Sequence, residues 1–208
     1  MRFGMAWTGP REGRRALRMA AIVGALAVLG AGGCGKADGG GASAGGLTEE
    51  AAVARAQAAL GPFKKSLKGA LMKGLGEGPG PAIEACRDEA PKLAAAASVG
   101  GVVVGRSSEK LRNPANAPRA WVAPLLGELA KAPRAPGLHR AVALEGGGWG
   151  YVEPIYVDGM CLGCHGGSVG EEVGAKLASL YPEDRARGYA EGDFRGVFWV
   201  EVAEGAAR

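Results

Sequence analysis

Residues Met160 to Gly167 read MCLGCHGG, which sets two cysteines three positions apart and a histidine directly after the second. In a helical turn Cys161 and Cys164 share one face, with His165 beside them and similarly directed. Two thiols so placed can add to the two vinyl groups of a haem as thioethers, while the adjacent imidazole supplies the proximal nitrogen to the iron. Two other chemistries use the same residue types. One is a redox-active dithiol, in which His165 is incidental; the other is half of a zinc site, completed by Cys86 and His139. Glycines at 163, 166 and 167 would leave room for a flat ring against the backbone.

The compartment bears on the choice. The first residues carry Arg2, Arg11, Arg14, Arg15 and Arg18 against the single acid Glu12, then give way to the apolar run MAAIVGALAVLGA, which is too short to span a bilayer. That pattern predicts an export signal. Ala31, Gly32 and Gly33 before Cys34 resemble a lipobox, although Leu29 lies two positions earlier than the pattern prefers; Cys34 is the expected lipidation site. Arg14-Arg15 is followed by Ala16-Leu17-Arg18, a poor twin-arginine match, so the general secretory route is expected. Export favours haem over dithiol or zinc, because haem c is attached outside the cytoplasm to an unfolded chain with reduced thiols.

Cleavage changes the electrostatics. The whole chain has 25 Lys and Arg against 21 acids, or +4, and residues 1–33 hold five Arg and one Glu, also +4. The remainder is formally neutral, which removes nucleic acid from the expected partners and leaves the membrane, reached through the N-terminal lipid. The stretch after Cys34, GKADGGGASAGG, has nothing to bury and reads as a flexible tether of about 20 Å reach. Three parts are thus expected: a lipoprotein signal peptide at 1–33, a lipidated tether at 34–46, and one globular domain at 47–208.

The elements that must position the motif can be read in outline. Thr48 with Glu49 and Glu50 opens a helix that Gly61-Pro62 is expected to break or kink. A second helical stretch places Phe63, Leu67, Leu71 and Leu75 on one face. Pro81 starts the next, with Ile83, Cys86, Ala90 and Leu93 inward and a bend at Pro91. GGVVVGR reads as a strand, and Asn116 as the cap of a helix around Trp121 to Leu129. LHRAVALEGGGWGYVEPIYV reads as two strands about a glycine turn, EEVGAKLASL as a helix, and DFRGVFWVEV as a last strand. Helices first and then a small sheet predict an α+β domain with an antiparallel sheet.

With Cys34, Cys161 and Cys164 assigned, Cys86 is the cysteine left over, so no disulfide is expected within the mature domain. The residues alone leave the second axial ligand open among Cys86, Met72 and His139, apart from lysine or an exogenous molecule; Met160 adjoins Cys161 and cannot readily reach the opposite haem face. A cysteine ligand would bind as thiolate and favour ferric iron. A peroxidase would need an open iron and distal acid–base groups, for which His139 is the spare histidine, so an enzyme is not expected.

IEACRDEAP, VGRSSEKLRNPANAP, CLGCHG and YPEDRARGYAEGDFRG, in that order, resemble the Tll-type single c-type haem family, over nearly all of the folded part. Members of that family occur alone and as sensory modules of histidine kinases and chemoreceptors. The resemblance implies a PAS-like antiparallel sheet flanked by helices and preceded by N-terminal helices. It implies one covalent haem c on Cys161 and Cys164, with His165 and Cys86 as axial ligands. Arg106, Arg112 and Asn113 lie in a shared segment, where they would hold haem propionates or shape the pocket; an ordered loop of Asn-Pro turns is the other reading of that stretch. The implied role is redox or small-ligand sensing, with a gas such as NO or CO displacing Cys86. Electron transfer by an envelope lipoprotein is the alternative. No kinase, methyl-accepting or transmembrane transmitter segment comes after the haem motif, so a signal would pass to a separate redox or signalling protein. Gly35 after Cys34, in place of Asp, points to the outer membrane, facing the periplasm.

Overall fold

A computed structural model describes residues 46–205. The signal segment 1–33, Cys34 and all but the last residue of the tether lie outside them. The first helix, α1 (Glu49–Glu77), begins where Thr48 accepts the Ala51 N–H at 3.3 Å, with Glu49 and Glu50 at the positive end of the helix dipole. Ala52, Ala56, Leu60 and Phe63 recur at helical spacing on its buried face. The expected break at Gly61-Pro62 does not occur, and the helix continues through Pro62. Proline in a helix interior costs about 3 kcal/mol. Leu60 and Phe63, on either side, are 0% and 2% exposed, and each buried side chain of this size contributes about 1.5–3 kcal/mol, which outweighs that cost.

The chain turns back at Gly78 into α2 (Pro79–Glu84), a π-helical turn at Ala85–Glu89, and α3 (Ala90–Ala97). The bend expected at Pro91 takes the form of this wide turn just before it. Pro91 has no N–H to give the Arg87 carbonyl, and its ring would strike that carbonyl in a regular helix. Beyond α3 come β1 (Val102–Ser107), α4 (Ala123–Lys131), β2 (Arg140–Ala143), β3 (Trp149–Tyr156), the one-turn α5 (Leu162–His165), α6 (Glu171–Leu180) and β4 (Phe194–Val202). The expected cap at Asn116 is replaced by Asn113, whose side chain accepts the Ala115 N–H at 3.0 Å to start a 3₁₀ turn; α4 begins later, without a side-chain cap.

The four strands form one sheet in the order β1-β4-β3-β2, antiparallel throughout, so the class is α+β with helices on both sides. Val104, Tyr151, Val200 and Val202 face α1, while Val152, Val197 and Trp199 face Leu125, Leu126 and Leu129 of α4. Near the start of β4 the pairing slips: Ile155 opposes Gly196 and Tyr156 opposes Phe194, which leaves Arg195 as the extra residue of a β-bulge. Among the described residues, no helix is long and apolar enough to cross a membrane.

Gly105 pairs with Trp199 across β1 and β4, and a Cβ there would lie 2.1 Å from the indole ring. The Gly105→Ala substitution should therefore push the ring out of its packing and cost about 1–3 kcal/mol. Urea denaturation at neutral pH measures it, and an unchanged midpoint would contradict the close approach.

Candidate functional site

A cavity of about 410 Å³ opens where the second half of α1, the end of α2, the π turn, the sheet at the end of β1 and the Cys161 turn meet. This is the size range of small-molecule and cofactor sites. Leu67, Leu71 and Leu75, expected to share a face with Phe63, supply its apolar wall. Phe63 is buried in the main core with Leu67 packed against it, and Leu75 is 36% exposed. Cys86, Arg106, Arg112, Asn113, Cys161, Cys164 and His165 all line this one cavity, although the sequence spreads them over three segments.

The π turn carries Cys86. Such a turn inserts one residue into a helix and rotates the residues beyond it, which is why it recurs at functional sites. Burial raises the Cys86 thiol above its ordinary 9.0, against the opposing pull of Arg106 and Arg112. Cys161 closes a 3₁₀ turn, and Cys164 and His165 sit in α5 just after it. Of the glycines around the motif, Gly166 is the one the backbone requires, since a Cβ there would lie 2.6 Å from the Leu162 carbonyl oxygen; side chains at 163 and 167 would meet open space.

His165 Nδ1 donates to the Ala186 carbonyl at 2.7 Å, so the lone pair resides on Nε2. Burial, with Arg112 and Arg195 nearby, lowers its pKa from 6.5 to about 3. The imidazole is neutral at physiological pH, which is the form that binds a metal. A carbonyl behind the ring fixes both tautomer and orientation.

Arg112 makes charge-assisted hydrogen bonds that shape the pocket wall. Its Nε donates to Asp184 at 3.2 Å, and Nη2 donates to the carbonyls of Cys164 and, at 3.3 Å, Ala186. It holds the motif turn and the carbonyl behind His165 in one grip, leaving its fork engaged with protein oxygens. Asp184 also accepts from Arg187 at 3.0 Å and the Ala186 N–H at 2.9 Å, with its side chain 3% exposed. Asn113 lines the cavity with its side-chain oxygen already committed to the cap at Ala115. Arg106 has no hydrogen bond or ion pair among the described residues.

His139 stays away from the cavity, stacked on Tyr151 at 5.3 Å with Nδ1 donating to the Gly137 carbonyl. Met72 is 49% exposed and also lies outside it. The zinc reading fails on this placement, and among the described residues no group of three or more His, Cys, Asp or Glu could hold a metal ion. Met160 lines the cavity beside Cys161. Sequence reasoning passed over Arg195, Tyr156 and Asp184. The signal for Arg195 was DFRG, a charge and a glycine interrupting an otherwise alternating strand.

Fold and cavity together define an α+β domain whose ligand-type residues converge on a Cys-X-X-Cys-His turn. The chain belongs to the Tll0287-like family, whose model matches residues 49–203. Among solved structures, it is similar to one described as the crystal structure of the cyanobacterial heme-protein Tll0287, at 30% identity over 58% of this chain and 70% of that chain, with a TM-score of 0.46. No match is found among curated proteins.

Burial alone would raise the Asp184 pKa, but the Ala186 N–H, Arg112 and Arg187 outweigh it and hold the carboxyl below its ordinary 3.8. Its contribution to stability is therefore present above pH 4 and is lost as pH falls through the lowered value. Asp184→Asn should cost about 3 kcal/mol at pH 7. The gap to the parent should close as the pH of chemical denaturation drops below 4, and a gap independent of pH would contradict the ion pair.

Proposed function

We propose that the cavity holds one haem c and that the domain is a redox or small-ligand sensor of the cell envelope. The observation that carries this reading is the convergence of Cys86, Cys161, Cys164 and His165 on a single cavity. The residues suit such a group. Apolar wall, neutral imidazole and sulfur donors match a macrocycle and its iron. The Tyr156 hydroxyl, buried and without a hydrogen-bond partner among the described residues, lies on the same wall. Cys161 and Cys164 would hold the group through thioethers, and His165 Nε2 and Cys86 Sγ would be the two axial donors. Once bound, the haem supplies an iron that changes oxidation state and takes up gases such as NO and CO.

The rest of the reading concerns what the chain does. Cys86 sits on a π turn that Pro91 maintains, so loss of its side-chain anchor would let this turn and the helix beyond it move together. Release of Cys86 would then shift α3, which packs between α1 and β1. That two-state element favours sensing over electron transfer with both ligands fixed. The N-terminal pattern supports export and lipidation at Cys34, with the domain on its tether facing the periplasm from the outer membrane. A separate redox or signalling protein would receive the signal, and no catalytic role is assigned.

Expression with a c-type haem maturation system should give a chain that keeps its colour through denaturing electrophoresis, and Cys161→Ala/Cys164→Ala should run colourless. Ferric parent protein should show a low-spin electron paramagnetic resonance signal that becomes high-spin in Cys86→Ala. The reduced parent should bind CO. A six-coordinate iron inert to CO would move the reading to electron transfer, and an unchanged low-spin signal in Cys86→Ala would remove thiolate ligation.

A further inference from the structure

Three arginines line the cavity, Arg106, Arg112 and Arg195, and their surroundings differ. Arg112 has Asp184 as its counter-ion. Arg195 has no acidic partner among the described residues: Nη1 donates to Ser108 Oγ at 2.7 Å and to the Lys110 carbonyl at 3.2 Å, and the guanidinium lies 5.4 Å from the centre of the Tyr189 ring. Arg106 has no hydrogen bond or ion pair among the described residues. Burial pushes both guanidinium groups below their ordinary value, and for Arg195 the nearness of Arg112 and Arg106 adds to it. Half-buried positive charges are retained when an anion joins them.

The backbone supports the same point. Arg195 is the extra residue of the bulge in β4, and a bulge re-aims the side chain it carries. The next residue, Gly196, has φ 148, and a Cβ there would lie 2.2 Å from the Ser107 carbonyl oxygen, so the distortion is fitted closely against the end of β1. Across the bulge stands Tyr156, whose buried hydroxyl lacks an acceptor. Two uncompensated cations and one orphaned donor thus line the cavity together.

We propose that Arg195 and Arg106, with the Tyr156 hydroxyl, bind the two carboxylates of the bound macrocycle, its propionate groups, and that Arg112 does not. This rests on the haem reading above. Two guanidinium groups balance two carboxylates, and the fork geometry of arginine matches each of them. The pair would fix which edge of the ring enters first and would hold its acids ionised.

The test is the midpoint potential of the haem-loaded protein between pH 5 and 8, in the parent, Arg195→Gln, Arg195→Lys and Arg106→Gln. The parent should give a flat profile, because its propionates stay ionised in both oxidation states. Each Gln variant should gain a redox-linked proton step, seen as a potential that falls with pH within this window, and Arg195→Lys should restore the flat profile. The other titratable groups on the cavity wall, Asp158, Lys64, Lys68, Arg112, Tyr156 and Tyr181 among them, are common to parent and variants. Flat profiles in both Gln variants with haem retained would overturn the assignment and leave the haem reading intact. A parent that takes up no haem would overturn both. A shift of the parent potential on adding succinate would show the pair open to a free dicarboxylate, which also overturns it.

Discussion

The grip of Arg112 is the interaction on which the site depends. One guanidinium joins the loop after β1 to Asp184, to the carbonyl of Cys164 and to the carbonyl of Ala186. That last carbonyl is the group behind His165, so the imidazole is oriented by an atom that Arg112 itself holds. Asp184 is tied in turn by Arg187 and by the Ala186 N–H. A one-turn helix such as Leu162–His165 has too few internal hydrogen bonds to be stable alone. Its geometry comes from this charged network, buried enough that solvent does not screen it.

Regular structure delivers the walls of the cavity, and irregular structure delivers its working side chains. α1 gives an apolar wall simply by continuing past the point where its other residues enter the core. Cys86 is aimed by a π turn and Arg195 by a β-bulge, each one residue out of step with the element that carries it. Both distortions are held by surroundings that leave little choice: Pro91 beyond the one, and the close contact of Gly196 with Ser107 at the other. Local order is given up where a side chain has to point somewhere a helix or strand would not send it.

Much of this was legible from residue types and spacing. The strands, the glycine turn between β2 and β3, the helix EEVGAKLASL and the motif turn all stem from periodicity and punctuation. The α+β class comes from their order. The errors share a cause: local signals were overridden by packing or by a competing cap. Pro62 reads as a break, yet the buried Leu60 and Phe63 carry the helix across it. Asn116 reads as a cap, yet Asn113 takes that task one turn earlier. In the site, cysteine and histidine declare themselves by spacing. Arginines do not, because nothing local separates an Arg112 that meets Asp184, 72 positions away, from an Arg106 that meets no acid. That distinction exists only once the chain is folded.

The last strand of the described residues is an inner strand of the sheet. β4 lies between β1 and β3, which share no ladder without it, and the Cys161 turn belongs to the long connection that leads into it. Closure of the domain therefore waits for β4, whatever the order in which the helices form, and such non-local pairing is slow. A polypeptide emerging N-terminus first has presented both motif thiols before its architecture can shut around them. The topology thus builds in an interval of accessibility, ended by the insertion of a single strand.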